Sequence, residues 1–106
     1  MKLYLSGKIT DCKNYKVIFS VARKKLEDAG YTVIDPTTLK IPEDTPWHSV
    51  MKKTIPKLVS CDGIALIFNW QESRGAVLEA GLALDIYMQA HTVDIWIQRG
   101  AKKRYE

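Results

Sequence analysis

The sequence lacks the features that mark several large classes of protein. It has only two cysteines, Cys12 and Cys61, in no CxxC arrangement, so we expect two reduced thiols rather than a disulfide. No His, Cys, Asp and Glu residues share the spacing of metal ligands, and neither a GxGxxG nor a GxxxxGK[ST] loop is present. We therefore expect neither a metal site nor a bound cofactor.

Long apolar runs are also missing, and none approaches the roughly 18 residues of a membrane-spanning helix. With no charged-then-apolar leader at the N-terminus, we expect a cytoplasmic protein with no membrane partner. The 106 residues, 46% hydrophobic and 26% charged, suit one compact domain over residues 1–106.

The formal charge of +4 is mild, and much of it lies in a basic tail over residues 99–106. A nucleic-acid partner for this tail is a weak alternative, because no groove-reading motif accompanies it.

Short apolar runs alternate with helical patterns along the chain. The patterns predict strands over 2–6, 31–34, 64–68 and 92–97, and helices over 14–29, 47–60 and 74–90. Short connections and right-handed crossovers then give a parallel sheet with helices on both faces. We predict a single three-layer, flavodoxin-like or Rossmann-like α/β domain with four to five strands in the order 2-1-3-4.

Local signals predict where these helices begin and end. Asn14 can cap the first helix and Gly30 should stop it, while Thr45 and Pro46 resemble an N-cap followed by a first helical residue. Pro56 should kink the second helix. The inner face of the first helix is predicted to carry Val17, Ile18, Val21, Ala22 and Leu26.

One carboxylate stands out on the helix predicted over 74–90. Glu79 lies among alanines on its face, and a carboxylate buried on an apolar helix must be partnered, protonated or functional. Ser73 can cap this helix, and Gly75 lets another group approach its start. About 9 Å of helix separates Ser73 from Glu79, so a small phosphorylated molecule could reach from one to the other. An ordinary capped helix with a salt-bridged Glu79 explains the same pattern.

Ligands of such sheets bind at the carboxyl ends of the strands, where the strand order reverses. Here the ends of the first and third strands should lie side by side. Tyr4 and Trp70 are more often packing residues than ligand-binding ones, and Lys8 is more often simply exposed. The residues predicted to converge are Tyr4, Ser6, Gly7, Lys8, Ile9, Asn69, Trp70, Ser73 and Glu79.

Three motifs, in this order and spacing, resemble the nucleoside 2-deoxyribosyltransferase superfamily. They are Leu3-Tyr-Leu-Ser-Gly-Lys-Ile9, Cys61-Asp62 before a buried strand, and Ser73-x-Gly75-x-x-x-Glu79-x-Gly81-x-Ala83. The resemblance is closest to short, poorly characterised members, and the 2′-deoxynucleoside 5′-phosphate N-hydrolases are a related branch.

The resemblance implies that Glu79 is a nucleophile for the anomeric carbon of a 2′-deoxynucleoside 5′-monophosphate, with Tyr4 positioning it. It also implies that the Ser6-Gly7-Lys8-Ile9 loop and the Ser73–Gly75 turn hold the 5′-phosphate. Attack by water would make the protein an N-glycosidase, and attack by a second base would make it a deoxyribosyltransferase. A homodimer or a higher homo-oligomer is implied too, and Trp47, Trp70, Trp96 and the apolar helix suggest the surface for it.

The sequence departs from the family at one position. Members of the family carry an Asp eight residues before a second Asp, which opens the central strand. In this sequence Asp62 opens that strand, and the residue eight positions before it is Thr54. Threonine cannot act as a general acid near neutral pH. The alternative function is therefore a non-catalytic protein that sequesters or senses a nucleotide in the same pocket. Whether Glu72, Asp35 or His48 replaces the missing acid stays open.

Overall fold

The computed structural model describes residues 1–101, which form a parallel sheet covered by helices on both faces. Its strands are Lys2–Ser6 (β1), Thr32–Ile34 (β2), Gly63–Leu66 (β3) and Gln89–Thr92 (β4), in the order β2-β1-β3-β4. Its helices are Tyr15–Asp28 (α1), Trp47–Val59 (α2), Arg74–Asp85 (α3) and Val93–Arg99 (α4). The predicted three-layer α/β fold and its strand order are confirmed.

The alternation of side chains along β1 divides the core into two layers. Leu3 and Leu5 point to one face of the sheet, where they pack with Phe19 of α1 and Trp96 of α4. Tyr4 points to the other face, in the cluster that includes residues of α2 and α3. Ser6 has the same parity as Tyr4, so the end of β1 presents two hydroxyls towards α3.

The predictions for the last third of the chain were partly wrong. The helix predicted to reach residue 90 ends at Asp85, because Tyr87 adopts a left-handed conformation with a φ of 63°. The Met88 N–H donates to the Ala83 carbonyl at 2.8 Å and the Tyr87 N–H to that of Leu84 at 3.1 Å. These two bonds close a Schellman motif without its usual glycine.

The strand predicted over 92–97 is also corrected, since β4 spans Gln89–Thr92 and the following residues form α4. Thr92 caps this helix by accepting the Ile95 N–H at 3.4 Å. Val93 and Trp96, three positions apart, are buried against the sheet, and the Trp96 indole N–H donates to the Ile64 carbonyl at 2.8 Å. A helical spacing of apolar residues therefore decided the structure of this segment.

Smaller corrections concern the edges of elements. On α1 the buried residues are Phe19, Ala22 and Leu26, while Val17 and Val21, predicted to face inwards, are 64% and 49% exposed. Phe68, predicted to end a strand buried on both faces, lies beyond β3 and is 81% exposed.

Helix starts differ slightly from the prediction. Pro46 has an extended ψ of 146° and occupies the N-cap of α2, the position predicted for Thr45, while the helix begins at Trp47 as predicted. Asn14 is the N-cap residue of α1, although its side chain makes no capping hydrogen bond. Gly30 follows α1 with a φ of 101°, as expected for a stop signal.

The predicted basic tail falls mostly outside the described residues, since Arg99 ends α4 and the description stops at residue 101. Cys12 and Cys61 are both free thiols. Among residues 1–101, no helix combines the length and the apolar character needed to cross a membrane.

Candidate active site

The carboxylate of Glu79 is held by two hydroxyls from β1. The Tyr4 hydroxyl donates to Oε2 and the Ser6 hydroxyl to Oε1, each at 2.7 Å. All three side chains are buried, and Glu79 is only 6% exposed. The parity of β1 places both donors on the face against which α3 packs, so the two elements together fix the position of the carboxylate.

Burial dominates the electrostatics of this cluster. It raises the pKa of Glu79, because a desolvated carboxylate is disfavoured, while the hydroxyls of Tyr4, Ser6 and Thr54 lower the pKa in part. The pKa of Tyr4 is raised strongly, first by burial and then by the charge of Glu79 and their hydrogen bond. Tyr4 therefore keeps its proton and acts as a hydrogen-bond donor.

The structure does not support the interpretation of Glu79 as a salt-bridged surface residue. Within the described residues, no Lys or Arg pairs with its carboxylate. In the described part of the chain, its hydrogen-bond partners are the two hydroxyls alone. A buried carboxylate must be partnered, protonated or functional. In the described chain Glu79 is partnered by neutral hydroxyls, so no cation compensates its negative charge when it is ionised.

The loop after β1 is tied to the loop after β3. The Lys8 N–H donates to Asn69 Oδ1 at 3.1 Å, and the Lys8 amine lies 3.5 Å from Glu72. A Cβ on Gly7 would stand 2.9 Å from the Ile67 Cβ, so this position requires glycine. The carboxyl ends of the two central strands therefore form one connected rim.

The start of α3 supplies further polar groups to the same region. Ser73 caps the helix by accepting the Ala76 N–H at 3.1 Å, as predicted from the sequence. The Arg74 guanidinium lies over the Trp47 ring, 3.7 Å from its centroid. Gly75 faces α2, where an added Cβ would come within 3.4 Å of the Met51 sulfur.

A cavity of about 1160 Å³ joins these groups. The loop between β2 and α2 lines it with residues between Pro36 and Thr45. Asn69 and Trp70 are absent from the lining in the described chain; Asn69 ties the loops together and Trp70 packs against the core. The predicted site residues that line the cavity are Tyr4, Ser6, Gly7, Lys8, Ile9, Ser73, Gly75 and Glu79.

Sequence reasoning did not identify three of the side chains that shape this cavity. Trp47 and Arg74 form one wall, and their pairing could not be read from positions far apart in the chain. In the sequence Thr54 drew attention only because it stands where family members carry an Asp. In the structure it is 5% exposed, and its hydroxyl lies 3.5 Å from the Met51 carbonyl oxygen.

The three residues considered as substitutes for the missing acid lie in different environments. Asp35 accepts from the Thr37 N–H and hydroxyl at 2.9 and 2.6 Å, and pairs with Arg23 at 3.5 Å. Glu72 is two-thirds exposed beside Lys8. His48 is exposed and does not line the cavity in the described chain.

Other acidic groups have different roles. Asp62 accepts the Lys2 N–H at 2.7 Å at the opposite end of the sheet, which is a structural role. No three His, Cys, Asp or Glu side chains within residues 1–101 are arranged to hold a metal ion.

Comparisons with known proteins bear on the fold of this site. The profile of a family described as "Domain of unknown function (DUF4406)" matches residues 1–92. No curated protein matches the chain. A solved 2-deoxyribosyltransferase from Bacillus psychrosaccharolyticus is 23% identical, with a TM-score of 0.65 over 85% of this chain and 69% of that one.

A 2-deoxyribosyltransferase from Leishmania mexicana is 18% identical, with a TM-score of 0.66 over 86% of this chain and 62% of that one. The protein therefore has the nucleoside 2-deoxyribosyltransferase-like fold that the motifs suggested. It spans about two thirds of the length of the two enzymes.

Proposed function

We propose, from the premise that the chain belongs to the DUF4406 family of domains of unknown function, that it cleaves or exchanges the base of 2′-deoxynucleoside 5′-monophosphates. In this proposal Glu79 is the nucleophile and Tyr4 positions it. The observation that carries the proposal is a buried carboxylate on the wall of a large cavity, hydrogen-bonded, within residues 1–101, to hydroxyls alone. The deoxyribosyl substrate is suggested by the fold shared with the two deoxyribosyltransferases.

The geometry of the carboxylate suits a nucleophile. Each of its oxygens accepts one hydrogen bond at 2.7 Å, and each retains lone-pair capacity for attack on carbon. Attack on C1′ gives a glycosyl ester while the base departs. Water then releases deoxyribose 5-phosphate, or a second base takes the sugar. Burial also favours the reaction, because a poorly solvated carboxylate is a better nucleophile than a hydrated one.

The start of α3 suits a phosphate. The first turn of a helix leaves N–H groups without carbonyl partners, and Ser73 occupies only that of Ala76. The N–H groups of Arg74 and Gly75 are therefore free of helical partners at the N-terminus of α3, where a phosphate could accept from them. Lys8, which lines the same cavity, adds positive charge. Ser6, which the resemblance assigned to the phosphate, uses its hydroxyl proton on Glu79 instead, and its carbonyl accepts the Ile67 N–H at 2.8 Å. The following Gly7 is therefore the neighbouring residue left for this role.

One observation favours the second candidate, a nucleotide-binding protein without catalysis. The immediate surroundings of Glu79 contain the hydroxyls of Tyr4, Ser6 and Thr54 and no second carboxyl among the described residues. Such a site binds a nucleotide while assisting departure of the base only weakly.

We further propose that the protein is a homodimer in the cytoplasm. The outward face of α3 is apolar, with Val77, Leu78 and Leu84 between 43% and 60% exposed. A Cβ on Gly81 would meet nothing within 4 Å, so this face offers room for close approach. Trp96, counted on sequence grounds as surface, is 1% exposed and contributes nothing to it.

The test is incubation of the protein with the four deoxynucleoside monophosphates and their ribo counterparts, with free base measured by chromatography. Release from deoxy substrates alone is the expected result. Adding a second base distinguishes exchange from hydrolysis. No release at high enzyme concentration, together with measurable nucleotide binding, would favour the second candidate.

A further inference from the structure

Among residues 1–101, the neighbours of Glu79 include no group that can give a proton to a departing base. Tyr4 and Ser6 each donate to the carboxylate, and Thr54 is buried against Met51. Serine and threonine hydroxyls do not ionise near neutral pH. Tyr4 holds its proton tightly, since burial and the adjacent negative charge raise its pKa.

Glycosidases that react through a carboxylate nucleophile usually carry a second carboxyl about 5–5.5 Å away, which protonates the leaving group. Two carboxyls at that distance raise each other's affinity for protons. At Glu79 burial alone raises the pKa, and the other influences within the described chain are the three hydroxyls, all of which lower it. Within residues 1–101, the proposed nucleophile therefore lacks the usual acid beside it.

The remaining carboxyls of the region are directed elsewhere. Asp35 is bound by Thr37 and Arg23. Glu72 pairs with Lys8 at 3.5 Å, and its side chain is 66% exposed. Asp11 and Glu43 are exposed residues of loops that line the cavity, and neither is among the groups that shift the pKa of Glu79.

We propose, on the basis of the proposed function, that the site selects nucleotides whose base leaves without a proton from the protein. The substrate class is a 2′-deoxynucleoside 5′-monophosphate whose base forms a stabilised anion, such as a uracil with an electron-withdrawing 5-substituent. Bases that need protonation to depart are poor substrates. The hydroxyl environment of Glu79 thus determines specificity through the leaving group rather than through contacts with the base.

The step balances without any further reactant than water. A Glu79 oxygen forms a bond to C1′ while the C1′–N bond breaks and its electron pair leaves with the base. Water then attacks C1′, and the electron pair of the ester C1′–O bond returns to the carboxylate. One proton of that water stays on the sugar hydroxyl, and the other reaches the base anion through solvent. The products are the neutral base and deoxyribose 5-phosphate.

The test is a series of deoxyuridine monophosphates with hydrogen, methyl, fluoro and bromo substituents at position 5, which share the same sugar and phosphate. Rates measured at saturating substrate, with Glu79 fully ionised, should rise about tenfold for each unit by which the acidity of the base increases. Equal rates across the series would overturn the inference and leave the proposed function standing. Absence of release from every member would overturn the proposed function itself, and the inference with it.

Two variants at one position provide the matched comparison. Thr54→Asp places a carboxyl beside Glu79 and should raise release from the poorest substrates tenfold or more while flattening the series. Thr54→Val removes the hydroxyl without adding an acid and should keep the steep series. If Thr54→Asp fails to fold, the dependence of the wild-type rate on the acidity of the base still tests the inference. Loss of release from the poor substrates alone in Glu72→Gln or Asp11→Asn would reveal an acid at the rim and contradict the inference.

Discussion

At the scale of single residues, the chemistry depends on a balance between burial and hydrogen bonding at Glu79. Burial favours the neutral acid, and the hydroxyls of Tyr4 and Ser6 favour the carboxylate. Burial has the larger effect, so the pKa lies above the ordinary value of 4.5. Ionised Glu79 therefore lowers the folding stability, and carboxyls with such perturbed pKa values are common at functional sites.

This balance predicts opposite pH dependences for stability and activity. Between pH 4.5 and the raised pKa the unfolded chain ionises at Glu79 before the folded one, so folding stability falls as the pH rises. Base release should rise over the same window, because the nucleophile must be ionised. The comparison is urea unfolding of the wild type and Glu79→Gln across this range, alongside a pH–rate profile. A wild-type stability that increases with pH relative to Glu79→Gln would show that the hydrogen bonds outweigh burial.

Tyr4→Phe tests the positioning role of the tyrosine. Losing the donor to Oε2 should raise the pKa of Glu79 further, shift the rising limb of the pH–rate profile to higher pH, and lower the maximal rate about tenfold or more. Tyr31→Phe is the control, since that hydroxyl donates to the Trp96 carbonyl at 2.8 Å, away from the cavity. An unshifted profile in Tyr4→Phe would exclude this role.

Part of this residue-level picture could be predicted from the sequence. Glu79 stood out because charged residues are rare on an apolar helix, and Tyr4 because the motifs around it resembled a known family. The bond from Ser6 to Glu79 could not be predicted, because it depends on how far β1 lies from α3 and on the direction of a hydroxyl.

At the scale of elements, helix ends show which signals a sequence carries. Gly30 follows α1 in a left-handed conformation, and the sequence predicted this stop. Tyr87 takes the equivalent conformation after α3, and the sequence did not indicate it, because an apolar aromatic residue gives no turn signal. The sheet decides this end of α3, because the chain must turn in time to pair Gln89–Thr92 with β3.

Tyr87→Gly should therefore stabilise the fold. Glycine relieves the left-handed strain of a side chain that is 96% exposed, and we expect a gain of about 0.5–1 kcal/mol in the free energy of unfolding. Lys24→Gly, at an exposed position in the interior of α1, should instead lose roughly 0.5–1 kcal/mol. Urea unfolding measures both. Destabilisation by both variants would mean that the Tyr87 side chain contributes more than its strained backbone costs.

At the scale of the whole molecule, the parallel sheet brings distant residues together. Tyr4 and Ser6 lie 75 and 73 positions before Glu79 in the sequence. Because β1 pairs beside β3, and α3 follows β3, the three side chains meet near the carboxyl ends of these two strands. The alternation of strands and helices predicted this arrangement, although the last strand and helix were misplaced. The wall formed by Trp47 and Arg74 depends on the packing of α2 against α3 and was not predicted.

The proposed dimer has a test at this scale. Leu84→Lys puts a charge on the apolar face of α3, and light scattering at tens of micromolar should show the mass falling from dimer to monomer. Val17→Lys makes a comparable change on α1, on the opposite face of the sheet, and should keep the dimer. A monomeric wild type, or dissociation by Val17→Lys alone, would contradict the proposed interface.

The central claim is that Glu79 attacks the sugar, and its most direct test is base release per folded molecule of Glu79→Gln. The amide has the same shape: its oxygen can keep one hydroxyl donor, and its NH2 can donate to the other hydroxyl in the reverse direction, yet it cannot form the glycosyl ester. Release should fall by on the order of 10³-fold or more, about 4 kcal/mol in the barrier, with nucleotide affinity and fold retained. A Glu79→Gln protein that releases base at the wild-type rate would remove Glu79 from the mechanism.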